Sequence, residues 1–152
     1  MQENFVHLHL HSEYSLIDGL IRIEELVERA SEYNFVALAL TDISNLFGLI
    51  KFYRLARERG IKPIVGCEVK LMKDESSIPA PLVLLVKNQI GYTNLTKLVS
   101  KAYIQGQVNG EPLTQIEWLQ DFSEGLVALS GGQRGHIGQA LLYSSFDLAK
   151  KR

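Results

Sequence analysis

The chain is poor in cysteine: Cys67 is the single one in 152 residues. No internal disulfide is available, so packing and hydrogen bonds must hold the fold, and a lone thiol fits a reducing cytoplasm without proving one. Its neighbours Val65 and Val69 share its strand face, which suits a buried, inert thiol better than a nucleophile. Net charge is also lacking, at −1 from 16 basic and 17 acidic residues. There is therefore no electrostatic footprint for nucleic acid, and a DNA contact must be local or made by other parts of a larger molecule. No apolar run approaches membrane-spanning length, and the N-terminus lacks the charged-then-apolar order of a secretory signal. A G-x-x-x-x-G-K-S/T loop, paired C-x-x-C and a G-x-S-x-G elbow are all missing. Neither a repeat nor a low-complexity tract interrupts the chain. What remains is a 46% apolar, 22% charged sequence, ordinary for a globular domain and long enough to bury one good core.

Against that background the histidines stand out. Three of the four fall at alternate positions in Phe5-Val6-His7-Leu8-His9-Leu10-His11. On a strand, His7, His9 and His11 would share one face and Val6, Leu8 and Leu10 the other. Neutral imidazole is the commonest metal ligand. His7 is two strand steps from His11, roughly 13 Å at about 3.3 Å per residue, too far for all three to share one ion, so His7 is read as structural.

Strands and helices alternate along the rest of the chain. Ile23, Leu26, Val27 and Ala30 repeat at helical spacing, and Val36 to Leu40 is a short buried strand. Ser44 or Asn45 is placed to cap a helix with Leu46, Leu49, Ile50 and Tyr53 on one face and Gly60 at its end. Ile61 to Met72 reads as a third strand, Lys73 to Ala80 as a polar loop, and Leu82 to Val86 as a fourth strand, paired with the third as a hairpin or reached by a longer excursion. Leu95, Leu98, Val99 and Ala102 mark a helix stopped near Gly106, and Thr114 and Glu117 have capping-box spacing for a short one. Leu126 to Leu129 is a fifth strand, Ser130-Gly131-Gly132 a tight turn, and Ile137, Ala140 and Leu141 a further helix, after which Ser145 caps another. Repeated βα units predict an α/β fold with a parallel sheet, open or closed. A closed eight-unit barrel takes about 250 residues, so the expectation is a fragment of a barrel.

The polar residues gather at one edge of such a sheet. His9 and His11 fall at the C-terminal end of the first strand, Asp42 just after the second, Glu68 toward the end of the third, and Asp18 in the first βα loop. That edge is where α/β proteins bind ligands. Two imidazoles and carboxylates converging there suit zinc, manganese or a di-metal site for phosphoester hydrolysis. Each residue also has a structural reading. Asp18-Gly19 is a common turn pair, Asp42 serves as well at a helix start, and Glu68 in an apolar strand needs a partner or a metal. His136 opens a helix after Gly131-Gly132-Gln133-Arg134-Gly135, a turn able to hold a phosphate but more simply a connection.

One family resemblance covers essentially the whole chain. His9-Leu10-His11-Ser12-Glu13-Tyr14-Ser15-Leu16-Ile17-Asp18-Gly19 resembles the opening motif of the PHP (polymerase and histidinol phosphatase) domain. The branch it resembles is that at the N-terminus of the bacterial DNA polymerase III alpha subunit. Leu38-Ala39-Leu40-Thr41-Asp42, Asn45-Leu46-Phe47-Gly48-Leu49, Gly60-Ile61-Lys62-Pro63-Ile64-Val65-Gly66, Gly91-Tyr92-Thr93-Asn94-Leu95, Ser100-Lys101-Ala102-Tyr103 and Glu124-Gly125-Leu126-Val127-Ala128-Leu129-Ser130-Gly131 follow that branch in order.

The resemblance implies a distorted (β/α)7 PHP barrel with a metal cluster at its C-terminal rim. Residues 1–152 would be its truncated first part, with the remaining barrel strands and the polymerase body absent. His9, His11, Asp18 and Glu68 match family ligand positions. Ile43, Pro81 and Gly132 stand where metal-binding members have His, His, and Cys or His, and none of the three side chains can coordinate an ion. The expectation is thus a degenerate site, at most a mononuclear zinc or manganese remnant on His9, His11 and Glu68, with magnesium reserved for the absent polymerase site. Two functions follow from the resemblance. One is a structural module of a DNA-directed DNA polymerase that docks the proofreading exonuclease subunit, meets DNA only through the parent, and resides in the cytoplasm without membrane contact. The alternative is an active metal-dependent phosphoesterase of exonuclease, pyrophosphatase or histidinol-phosphatase type. Half a barrel would expose strand edges and apolar surface, so the isolated segment is expected to associate.

Overall fold

In the computed structural model, residues 5–72, 78–143 and 146–150 are described. They form two compact units, Met1–Cys67 and Glu68–Arg152.

In the first unit, α1 (Ile23–Glu32), β1 (Ala37–Leu40) and α2 (Leu49–Glu58) lead into β2 (Lys62–Met72). All four residues of β1 are buried, and they pair in parallel with β2 from Ala37↔Lys62 to Leu40↔Val65. The core consists of Ile23, Val27 and Ala30 of α1, Leu38 and Leu40 of β1, Phe52 and Ala56 of α2, and Ile61. Fully buried side chains the size of Phe52 or Ile23 contribute about 1.5–3 kcal/mol each. Both helices end in the same six-residue closure. Gly60, at φ 74°, donates to the Arg57 carbonyl and Ile61 to that of Ala56; Asn34, at φ 57°, donates to Ser31 while Phe35 donates to Ala30.

Two expectations fail here. Residues 5–12 are not a hydrogen-bonded strand. They run beside β1, with Ala39 N donating to the His7 carbonyl (3.0 Å) and Thr41 N to that of Leu10 (2.9 Å). Three residues on one side answer two on the other, so the ladder breaks. The buried Thr41 hydroxyl fills the gap, accepting from Leu10 N at 2.8 Å and donating to the Leu10 carbonyl at 3.0 Å. The second failure is the start of α2. Ser44 is left-handed at φ 53°, and Asn45 donates to the Tyr14 and Ile43 carbonyls while accepting from Phe47 N. These bonds hold residues 43–47 in a turn, and the helix starts from Gly48 without a side-chain cap. Its buried face is Leu49, Phe52 and Ala56, whereas Ile50 and Tyr53 are exposed.

In the second unit, the end of β2 pairs in parallel with β5 (Glu111–Gln115), from Lys70↔Leu113 to Met72↔Gln115. β3 (Ala80–Val86) pairs antiparallel with β6 (Leu126–Leu129). The sheet is therefore mixed, not parallel: the segment between β3 and β6 returns the chain in the opposite direction. α3 (Gln89–Gln105) is capped by Asn88, which accepts from Gly91 N at 3.0 Å, and ends at Gly106. β4 (Gln107–Val108) and β5 form a hairpin that the sequence reading passed over. Its turn is Asn109-Gly110, both residues at positive φ, a pairing that hairpins favour. The hairpin absorbs Thr114 into β5, so α4 (Ile116–Phe122) starts from Gln115 without a side-chain cap, and the capping box does not form. The strand order is β4-β5-β2-β3-β6, with β1 paired to β2. α5 (His136–Tyr143) and α6 (Phe146–Lys150) follow the turn after β6. Ser145, and residues 73–77 of the expected polar loop, lie outside the described residues. Among the described residues no helix is long and apolar enough to cross a membrane.

Candidate metal centre at the histidine pair

The segment after His11 is folded tightly from its own side chains. Ser12 Oγ accepts from Tyr14 N (3.2 Å) and caps the 3-10 turn Glu13–Ser15. Leu16 is held at φ 53°, ψ −59°, where Ile17 N donates to the Ser15 carbonyl at 2.6 Å. This is the strained three-residue γ-turn. The chain then comes back so closely that a Cβ on Gly19 would overlap the Ser12 carbonyl, and Glu13 N donates to the Ile21 carbonyl at 2.9 Å. Lys51 of α2 reaches Glu13 at 3.6 Å and Glu24 at 2.8 Å. The hydrogen bond it shares with Glu24 lowers that carboxyl's pKa and raises that of the Lys51 ammonium.

That loop brings Asp18 to the histidines. His9 Nε2 and His11 Nε2 are 3.2 Å apart, with ring planes at 83°. On its other nitrogen, His11 Nδ1 lies 3.3 Å from Asp18 Oδ2. His7 is elsewhere, edge-on to Phe5 at 4.6 Å and tilted against Phe35 at 5.4 Å, an aromatic packing role. The donor pair fits a metal of the kind the sequence suggests: an ion about 2.0–2.1 Å from each imidazole nitrogen spans a gap of this size. Glu68 follows Cys67 in β2, is half-buried, and opens the second unit.

Asp42 occupies the position after β1 but turns its carboxylate inward. It is 2% exposed. Oδ1 accepts from Ser12 N and Ser15 Oγ, both at 2.7 Å, and Oδ2 accepts from Ser12 Oγ at 2.8 Å. Its carbonyl accepts from Cys67 Sγ at 3.2 Å, so the thiol is a buried packing group with a weak donor role. Ile43 N donates to Ser15 Oγ, and its side chain offers no donor atom. Asp42 is thus the brace under the loop that carries Asp18. Ser12, Ser15 and Thr41, all buried, complete this framework. Sequence reasoning missed them because a serine in a loop has no periodic signature. Pro81 is the second residue of β3, and Gly132 opens a 3-10 turn, Gly132–Arg134. His136 Nε2 lies 3.1 Å from the Leu71 carbonyl.

Comparison with known proteins points to one family. The PHP domain family matches residues 7–152. The DNA polymerase III subunit alpha of Vibrio cholerae is 45% identical over 139 residues, which is 91% of this chain and 12% of that protein. The corresponding subunit of Escherichia coli strain K12 is 45% identical over 145 residues, 93% of this chain and again 12% of that protein. The chain thus spans 12% of the length of these curated relatives. A crystal structure assigned as a metal-dependent phosphoesterase from Bifidobacterium adolescentis superposes with a TM-score of 0.50 at 17% identity, over 64% of this chain and 33% of that one. At that identity the likeness concerns the fold alone. The family match, the relatives and the α/β architecture converge: this chain belongs to the PHP domain family.

Proposed function

We propose that this chain is the PHP segment of a replicative DNA polymerase III alpha subunit, acting in the cytoplasm as a non-catalytic module. Its role there is to pack beside the polymerase body and dock the proofreading exonuclease subunit. DNA synthesis, with its magnesium ions, belongs to the rest of the parent, as does contact with DNA. The 45% identity to alpha subunits across 91% of the chain supports the parentage.

The observation that carries the non-catalytic reading is the state of the rim after β1. The Asp42 carboxylate is consumed by three serine-derived donors, and Ile43 beside it brings only a hydrocarbon side chain. A phosphoesterase needs several rim ligands to hold a metal and activate water. Pro81 and Gly132 likewise bring no donor atom where metal-binding relatives are expected to have one. A mononuclear remnant remains part of the proposal. It would rest on His9 and His11, whose Nε2 atoms lie 3.2 Å apart, with Glu68 as the third ligand that the family resemblance implies. Zinc or manganese bound there would supply a Lewis acid and a polarised water. The chain's own contribution is orientation: the perpendicular imidazoles are set by residues 9–12, and Asp42 fixes that segment from below.

The test uses the intact alpha subunit. Metal content is measured by mass spectrometry and phosphoester hydrolysis is followed in manganese and in zinc. Exonuclease binding is measured with and without the PHP segment. The module predicts no turnover and loss of exonuclease binding on removing the segment. Stoichiometric metal, with activity abolished by His9→Ala and Glu68→Ala, would replace it with the phosphoesterase, the reading favoured by the close histidine nitrogens.

A further inference from the structure

We infer that the loop after Ser12 is a docking knob. Leu16, Ile17, Leu20 and Ile21, with Phe47 beside them, seat in an apolar pocket of the polymerase body on the same polypeptide. This rests on the alpha-subunit parentage proposed above and adds the surface by which the segment is held there.

Exposure is the first observation. Ile17 is 99% exposed, Leu20 96%, Leu16 84%, Phe47 71% and Ile21 43%. At about 150–200 Å² for a large side chain, the five present on the order of 600–800 Å² to water. The largest apolar patch of a typical monomer is about 300–600 Å², whereas one side of a standard interface is about 800 Å². Rigidity is the second observation. Glu13 N donates to the Ile21 carbonyl at 2.9 Å and closes the base of the loop. Leu16 is held at φ 53°, ψ −59°, a strained setting for a residue with a side chain. Gly19 lies against the Ser12 carbonyl, and the buried Asp42 holds Ser12 and Ser15. Phe47 is tied to the same base, because Asn45 donates to the Tyr14 carbonyl and accepts from Phe47 N. Strain and a buried network thus fix, in water, apolar side chains that add nothing to the core. Ordering them before contact removes that cost from binding.

Shape and permanence select the occupant. Side chains that are 96–99% exposed stand clear of their own surface and form a protrusion. Two such protrusions bury little against each other, which argues against a second copy and for a concave apolar receptor. Interfaces this apolar belong to permanent contacts more than to exchanging ones. A receptor on the same polypeptide is present at all times and at high effective concentration. The curated alpha subunits match this chain over only 12% of their length, so most of such a polypeptide lies outside the matched part. A dissociable exonuclease subunit would leave the patch bare whenever it was away.

The test uses the intact parent protein, with and without the exonuclease subunit. A photo-crosslinking benzoylphenylalanine is placed singly at position 17 or 20, and the Ile17→Cys and Leu20→Cys variants are labelled with maleimide. Tyr33→Cys, at a residue 68% exposed after α1, is the accessible control. Crosslinks are expected within one chain, mapped by mass spectrometry to peptides of the polymerase body and unchanged by the exonuclease subunit. Labelling at 17 and 20 should be at least about tenfold slower than at 33, the equilibrium factor that burying one such side chain supplies. Crosslinks to the exonuclease subunit or to a second alpha chain would overturn the assignment, as would labelling as fast as the control. A DNA synthesis assay on the same protein separates the two failures. No synthesis ends the parentage reading and this occupant with it; full synthesis with an accessible loop refutes the knob alone.

Discussion

Replacing Asp42 tests whether the buried carboxylate is the brace of the first unit. It accepts from Ser12 N, Ser12 Oγ and Ser15 Oγ at 2.7–2.8 Å while only 2% exposed. A hydrogen bond to a charged group is worth about 1.5–3 kcal/mol, and a buried donor left unmade costs about 1–3 kcal/mol. The three bonds are not additive, because Ser12 supplies two of them and both serine hydroxyls keep an acceptor role, toward Tyr14 N and Ile43 N. Asp42→Ala strands the Ser12 N–H and two hydroxyl protons and opens a small cavity, for a loss of about 3–5 kcal/mol. Asp42→Asn keeps one acceptor for Ser12 N and loses only the charge-assisted share, about 1–2 kcal/mol. At roughly 2–4 °C per kcal/mol for a domain of this size, the alanine variant should melt roughly 6–20 °C lower and the asparagine variant a few degrees lower. Thermal unfolding followed by circular dichroism reads both. The Asp42→Ala, Ser12→Ala, Ser15→Ala triple variant should recover part of the loss, since removing both sides of a buried hydrogen bond costs less than removing one. An Asp42→Ala protein within 1 kcal/mol of the unmodified chain would refute the brace, as would a ranking with asparagine below alanine.

Gly19→Ala should destabilise by more than about 2 kcal/mol, because the new Cβ meets the Ser12 backbone carbonyl and not a side chain able to rotate away; chemical denaturation measures it. Asn34→Gly should stabilise by several tenths of a kcal/mol to about 1 kcal/mol, since Asn34 closes α1 at φ 57° with backbone bonds only; the denaturation midpoint should rise with an unchanged slope. Glu24 has its pKa lowered from an ordinary value of 4.5 by the Lys51 hydrogen bond. Its contribution to stability is therefore complete above that value and lost as pH falls through the lower folded-state pKa. A carboxyl-carbon NMR titration should show a depressed midpoint that returns toward 4.5 in Lys51→Ala.

Much of the fold was legible because buried elements repeat. The 23, 26, 27, 30 spacing located α1, and the unbroken apolar run of β1 located a strand buried on both faces. The fourth and fifth predicted strands, too, lie within two residues of β3 and β6. Failures came where side chains competed with backbone periodicity. Residues 5–11 alternate well, yet the Thr41 hydroxyl replaces a ladder bond and no strand forms. Leu46 carries the right phase for α2 but sits in a turn tied by Asn45. The β4–β5 hairpin had its Asn109-Gly110 signal, but β4 is only two residues long and shows no period to flank it.

At the site, alternation alone put His9 and His11 together, whereas residue type and spacing left both aspartates with a structural and a binding reading, and only the family resemblance marked Asp18 as a ligand position. Each follows an early strand-like segment and precedes a helix, so local pattern by itself does not show which one braces the loop. What separates them is the number of donors that meet each carboxylate and how much water is left around it. Asp42 is met by three protein donors and almost no solvent, so its charge is used in holding Ser12 and Ser15. Among the described residues Asp18 meets His11 Nδ1, 3.3 Å from its Oδ2, and its side chain is 65% exposed. Those donors come from residues 27 and 30 positions away from Asp42 in sequence, a separation at which no local pattern constrains the pairing. The same reasoning applies to Ile43 beside Asp42. Ile43 keeps its backbone N–H in the serine network while its side chain has nothing to offer an ion. The brace uses only the backbone of Ile43, so the fold around Asp42 does not depend on a ligand side chain at that position.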